Sequence, residues 1–364
     1  MNLIPIQYYT TFYYQFILII TLFVLLGSKQ QLESTTNLKG KNVLGVIVLF
    51  LLVLYMGLRP LNYRFGDMII YDRMFQAYLN VGEAHYTKDV LFEFFLFMFS
   101  RFATSAVFFF FCALIYVGSL YFATKKMFKD YWFYGFFMLI ISFSFWSYGT
   151  NGIRNGMASS LFLYGITRTR KTTVFAIIIA STFLHKSMFL PLGAYIVTLF
   201  YNKPKSFIYF WMLSVPLSLV LGGFFTSFFL GIGIIDEKEI AGYLGEFNQA
   251  AEGVELKVGF RWDFLLYSAS GVFAGWFFIF KKKYEDKLYF HLFNIYLIVN
   301  AFWVLVIRAN YSNRFAYLSW FMLGIVIIYP LLKAKFYENQ HQVVARIIVV
   351  YFAFTYLMNV ILSQ

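Results

Sequence analysis

The sequence predicts an all-α polytopic membrane protein, and three observations predict it. Of 364 residues, 61% are hydrophobic and only 13% charged, whereas a soluble domain carries roughly 25% charged residues. Apolar runs of about 20 residues, the length a helix needs to cross a bilayer, recur along the whole chain. Basic residues gather in alternate loops between those runs. The single cysteine, Cys112, lies inside an apolar run, so neither a disulfide framework nor a cysteine metal site is expected.

Twelve spans are expected, near 8–26, 42–58, 104–123, 131–149, 153–167, 172–185, 187–201, 206–230, 262–280, 288–307, 315–332 and 342–361, within one integral membrane domain covering 1–364. The first run lacks a basic leader and a small-residue cleavage site, so it is expected to be retained. One set of alternate loops holds 18 of the 30 basic residues, against five acids. The other set balances 12 basic against 12 acidic residues, so the whole net charge of +13 falls on one side. The positive-inside rule makes that side cytoplasmic and puts both termini outside. The charge therefore reports topology rather than a nucleic-acid partner.

Residues 90–122 are too long an apolar run for one span. A crossing by 90–103 alone would invert every later loop, so 90-VLFEFFLFMFSRFA-103 is expected to be an interfacial or half-inserted helix hinged at Ala103–Thr104–Ser105. Ahead of it, from Asp67, the pattern Met68, Tyr71, Phe75, Tyr78 and Leu79 against Asp72, Gln76, Asn80 predicts an amphipathic helix in the interface. Residues 59–103 thus form an outer loop with two such helices. The outer loop 231–261, acidic and glycine-containing, could close as a lid.

The two faces differ in the kind of charge. Inside, 15 of the 18 basic residues are lysine; outside, eight of 12 are arginine. Lysine suffices to orient loops, whereas arginine presents a planar fork that binds phosphate or carboxylate in two places. Arg59, Arg154, Arg261, Arg308 and Arg314 fall where outer loops meet spans, at headgroup depth, and Arg64 lies in the first outer loop. They serve either as interfacial anchors and partners of the outer acids or, several together, as a cradle for one anion. In 148-YGTNGIRNGMASSLFLYG-165, Gly152 and Gly156 would let other groups approach the backbone around Arg154.

Three groups could move a proton. Asp67 either caps the interfacial helix or acts as a base or binder of hydroxyls. His185 sits at the turn between the sixth and seventh spans with Lys186 and Ser187, as an acid or base or as a hydrogen-bonded turn residue. Glu93 is either an arginine's partner or the base. His85 is expected to be solvated, and His291 and His341 receive no role. No Gly-rich phosphate loop, His-Glu-x-x-His, Gly-x-Ser-x-Gly or Asp-x-Asp is present. The acidic cluster 236-DEKE-239 lies in the outer loop. No cofactor and no metal site are expected, and arginines would carry any phosphate charge.

The order of these residues resembles the EpsG/Wzy-type family of bacterial polysaccharide polymerases: Arg59 ending an early span, Gly66-Asp67 with Tyr71 four positions on, Glu93 in the next apolar helix, Ile153-Arg154 opening a span, then His185-Lys186-Ser187 at an outer turn. The resemblance is best over about 40–200; beyond it, Arg314 with Tyr317 near an outer span end also matches. Asn155 stands where the family's glutamine would follow the arginine. The resemblance implies a GT-C-like glycosyltransferase on the outer face of the bacterial inner membrane. Its substrates would be undecaprenyl-pyrophosphate-linked repeats, and its partners the bilayer, a flippase and a chain-length regulator. It assigns Arg59, Arg64, Arg154, Arg261, Arg308 and Arg314 to the pyrophosphate, Tyr71 and Lys186 to substrate, and the base to His185, Asp67 or Glu93. Tyr63, Tyr71, Trp146, Tyr148, Trp262 and Tyr311 are available to stack on sugars. An O-antigen ligase, another polyprenyl-linked GT-C enzyme or a lipid-oligosaccharide flippase are the alternatives.

Overall fold

The structure is a computed structural model that describes residues 4–30, 32, 34–81, 89–231, 259–309 and 311–362. Among the described residues every regular element is helical, with no strand. The expected lid falls mostly on 232–258, and His85 and the 236–239 acids fall there or on 82–88; these calls lie outside the described residues.

The expected apolar segments are all helical, but not all are long enough to cross. Among the described residues eight helical runs have the length and composition for a span, which makes a multi-pass membrane protein. One of these, Ser105–Ile140, is not a single rod: Lys129 at φ 50° ends helix α5 (Ser105–Phe128), and α6 (Trp132–Ile140) packs back along it. The run expected at 131–149 breaks after Ile140 and resumes as the six-residue α7 (Phe145–Thr150). The segments expected at 153–167, 172–185 and 187–201 form α8 (Ile153–Ile166), α9 (Lys171–Leu184) and α10 (Phe189–Phe200), of 14, 14 and 12 residues. At 1.5 Å per residue these reach about 18–21 Å, short of a hydrocarbon core of about 30 Å. Of the twelve expected crossings, eight therefore have the length of a full span among the described residues.

The helices group into two compact units, Met1–Met188 with Ile328–Gln364, and Phe189–Ile327. The first contains α1 (Tyr9–Leu26), α2 (Thr35–Gly57), α3 (Met68–Val81), α4 (Val90–Ser100) and α5 to α9. In it α5 packs on α2 and α8, α8 on α9, and α3 and α9 on α4. The expected hinge is present: α4 ends at Ser100, and Thr104 caps α5 by accepting the Val107 N–H at 3.4 Å. The α3 stripe predicted from the sequence is buried at Met68, Tyr71, Phe75 and Tyr78.

In the second unit, α13 (Lys287–Leu305) packs against α10, α11 (Pro204–Gly231), α12 (Trp262–Trp276) and α14 (Asn313–Trp320). Asn300 ties four of these helices together. Its Nδ2 donates to Ser268 Oγ at 3.1 Å and Ser319 Oγ at 2.9 Å, and its Oδ1 accepts from Trp211 Nε1 at 2.7 Å. Every member is buried and bonded, the condition under which a polar group is tolerated in an apolar interior. Asn300→Ala is expected to cost about 1–3 kcal/mol, because it leaves the Trp211 N–H without its acceptor. Unfolding in detergent measures this, and stability equal to an Asn80→Ala control would show that the network contributes nothing.

Candidate functional site

The first unit brings together residues from four stretches of chain at the ends of α3, α4, α8 and α9. Their centre is an ion pair. Arg154, in the first turn of α8, donates from Nη1 to Asp89 Oδ2 at 2.5 Å. Asp89 is 2% exposed and immediately precedes α4; the Arg154 side chain is 27% exposed. The other Asp89 oxygen accepts the backbone N–H of Lys186 at 3.0 Å, so one carboxylate holds both the arginine and the turn that follows α9. Arg154 Nε donates to the Tyr71 hydroxyl at 3.1 Å, and the guanidinium lies 5.3 Å from the Tyr71 ring and 6.0 Å from that of Phe92. Burial pushes the Tyr71 phenol up to about 12, opposed by the Arg154 charge, so it stays a neutral acceptor for the guanidinium. Among the described residues Arg154 Nη2 makes no hydrogen bond, which leaves one edge of an oriented fork for a ligand.

Two glycines allow this assembly. Gly66 has φ 58°, and a Cβ there would collide with the Asn151 side chain. Asn151 Oδ1 instead accepts the Asp67 N–H at 2.9 Å and pins the start of α3 to the turn before α8. A Cβ on Gly156 would lie 2.5 Å from the Tyr148 carbonyl, so Gly156 lets α7 fold tightly onto α8; at Gly152 the nearest atom would be at an ordinary 3.4 Å. Of the two glycines singled out around Arg154, only Gly156 is required by close approach.

His185 follows α9, and its tautomer is set by its neighbours. The Ser187 backbone N–H donates to Nδ1 at 3.1 Å, so that nitrogen is bare and the neutral ring carries its proton on Nε2. Asn155 places Nδ2 3.2 Å from Nε2 and Oδ1 2.8 Å from Ser187 Oγ. A half-turn of this amide, which leaves its shape unchanged, lets Nε2–H donate to Oδ1 and Nδ2 donate to Ser187. In this arrangement both ring nitrogens are engaged.

Of the two other candidate bases, Glu93 is buried in α4, 3% exposed. Asp67 is half-buried, and its carboxylate makes no hydrogen bond among the described residues, although its charge acts on both Tyr71 and Arg154. Lys186 is half-buried in the turn that Asp89 holds.

The remaining arginines are placed differently. Arg59 is 4% exposed and donates to the carbonyls of Met56 and, at 2.9 Å, Thr150. These carbonyls close α2 and α7, so Arg59 clamps two helix C-termini, where a cation is favoured. Burial lowers it to about 10, still charged at neutral pH. Arg64 is exposed. In the second unit Arg261 forks onto Asp263 at 2.9 and 2.6 Å, Arg308 donates to the Leu219 carbonyl at 3.3 Å, and Arg314 lies over the Tyr311 ring. Trp146 and Tyr148, expected to be available to sugars, are buried; Trp146 stacks on Tyr13 at 4.4 Å. Tyr63, Trp262 and Tyr311 are exposed.

Asp89 and Asn151 were not singled out from the sequence, and Asn155 and Ser187 were named there only beside Arg154 and His185, without a role of their own. The signal for Asp89 is an acid directly before an apolar helix, opposite an arginine that opens another. Among the described residues no three His, Cys, Asp or Glu side chains gather closely enough to hold a metal ion.

Removing one member of the Asp89–Arg154 pair strands the other. Asp89→Ala is expected to cost about 1–3 kcal/mol, given that Arg154 is partly solvated. Adding Arg154→Met should recover part of the loss, since no unpaired charge remains. Additive losses in this cycle, read by thermal unfolding, would show the two side chains to be uncoupled.

Neither the curated proteins nor the solved structures include a match to this chain. The profile of the EpsG family matches residues 42–364, which contain every element of the site just described, and the chain belongs to that family.

Proposed function

We propose that this chain is a polysaccharide polymerase, which joins undecaprenyl-pyrophosphate-linked oligosaccharide repeats on the outer face of the bacterial inner membrane. Membership of the EpsG family supports polysaccharide synthesis. The observation that carries the chemistry is the Arg154 fork, held by Asp89 and Tyr71 and, among the described residues, with Nη2 unengaged.

A pyrophosphate leaving group gains charge as the bond to the sugar breaks, and a donor fixed in advance stabilises that charge without reorganising. Arg154 also opens α8, where the helix dipole favours an anion. The hydroxyl at the non-reducing end of one repeat attacks C1 of the reducing-end sugar of the growing chain. The C1–O bond to phosphate breaks, undecaprenyl pyrophosphate leaves with the electron pair, and the hydroxyl proton passes to a base. Asp67 suits that role best among the three candidates, because Glu93 is buried and both ring nitrogens of His185 are engaged. Lys186 adds positive charge beside the same carboxylate that holds Arg154. Arg64 is proposed to extend the cradle, and Arg59 to support it through α2 and α7.

The test uses purified protein in nanodiscs with its lipid-linked repeat and no nucleotide sugar. A product ladder spaced by one repeat is expected; intact substrate, bound but unconverted, would contradict the proposal in favour of a flippase or a ligase without its acceptor. Arg154→Lys keeps the charge but loses the fork, and should lower kcat/KM about 10–100-fold, the equivalent of one charge-assisted hydrogen bond. Lys126→Arg on α5 should leave it unchanged. Asp67→Asn should remove turnover, whereas His185→Gln, which retains a distal N–H, should keep a measurable part of it; the reverse ranking would make His185 the base. EDTA should not inhibit, and activity restored by a divalent cation would reveal a metal requirement.

A further inference from the structure

The site is continuous with an apolar groove. α4 and α9 pack together, yet on their outward side a space of about 560 Å³ remains, lined by Val90, Leu91 and Phe94 from α4 and by Ala176, Ile179, Ala180 and Phe183 from α9. No polar residue contributes to its wall. Ala176 and Ala180 are residues of the size that lets two membrane helices close on one another. Here the space over them stays open, rimmed by the exposed side chains of Phe94 and Phe183.

The position of this groove identifies its occupant. Its upper end is one residue from Asp89 on α4 and two residues from His185 on α9, so it begins next to the residues that hold Arg154 and the Lys186 turn. From Ala176 to Phe183 it runs for about 10 Å along α9. A polar end that carries the Arg154 guanidinium and Lys186, with a trough lined by apolar residues next to it, matches a molecule with a phosphate at one end and a hydrocarbon chain at the other. An ordinary membrane face offers the apolar part alone.

We infer that the α4–α9 groove binds the first isoprene units of the polyprenyl chain, holding its pyrophosphate against the unengaged edge of Arg154. This rests on the polymerase reading for the identity of the lipid but not for the binding itself. Binding energy from the tail, remote from the reacting carbon, would be used to place the pyrophosphate. The groove would then set apparent affinity for lipid-linked substrate while leaving the chemical step to the polar residues above it.

The experiment uses the full-length protein in nanodiscs with undecaprenyl pyrophosphate carrying no glycan. A photoreactive benzoylphenylalanine at Ala180 is expected to form an adduct of the mass of undecaprenyl pyrophosphate, and the same residue at Phe122, an exposed position on α5, is not. Adducts with phospholipid only, or equal adducts at both positions, would overturn the inference. In parallel, Ala180→Trp fills the trough and should raise the Kd for undecaprenyl pyrophosphate at least 10-fold with an unchanged Tm. An unchanged Kd would also overturn it. The two proposals fail separately: adducts at Ala180 without a product ladder would retain the groove and remove the polymerase, and a ladder made by Ala180→Trp at the wild-type KM would do the opposite.

Discussion

The polar end of the first unit depends on one carboxylate. Asp89 sits at 2% exposure beside apolar helices, a position that is tolerable only because both of its oxygens are bonded, one to Arg154 and one to the Lys186 N–H. Arg154 in turn is 27% exposed and needs that counter-charge. Through this pair two segments 65 and 97 residues from Asp89 meet the start of α4 at one point: the start of α8 and the turn after α9. Tyr71 adds α3 by its hydroxyl, and the Asn155–His185–Ser187 set locks the α9 turn back onto α8. Polar groups that satisfy one another in this way are rigid, which is what a site that must hold a fixed donor for a developing charge requires.

The depth of this end follows from helix length. α8 and α9 form a hairpin of 14-residue helices, with Arg168 and Arg170 in the turn at one end and Arg154 and His185 at the other. About 21 Å of helix cannot carry both ends to the two surfaces of a 30 Å core. If the basic turn lies at the cytoplasmic surface, the functional end stops below the opposite one, within reach of a lipid phosphate whose chain remains in the bilayer. The α4–α9 groove begins at that same level. The short helices, a departure from the expected spans, thus account for how charged residues and a lipid substrate could share one depth.

Much of this could be read from the sequence, and the parts that could not share a physical reason. The Gly66-Asp67 step, the α3 stripe, the hinge before Ser105, Arg154 and the His185 turn all reflect local rules of turn geometry, periodicity and the cost of a charge in an apolar run. Asp89 escaped because its meaning lies in a partner 65 residues away. Arg59 looked like Arg154, a fork at the end of a span, and only the arrival of the Thr150 carbonyl from α7 shows its Nη1 and Nη2 donating to helix ends. Trp146 resembled an interfacial aromatic, yet tertiary packing stacks it on Tyr13. Hydropathy located α8, α9 and α10 but could not tell a 14-residue helix from a full crossing, since both read as apolar to a sliding window.

The most direct measurement is the structure of the protein in nanodiscs with undecaprenyl pyrophosphate bound. The proposed function requires a phosphate oxygen within about 3 Å of Arg154 Nη2, with the Asp89 and Tyr71 contacts intact and the chain entering between α4 and α9. A pyrophosphate bound away from Arg154, with that fork engaged only on Asp89 and Tyr71, would make the pair purely structural and contradict the proposal at its centre.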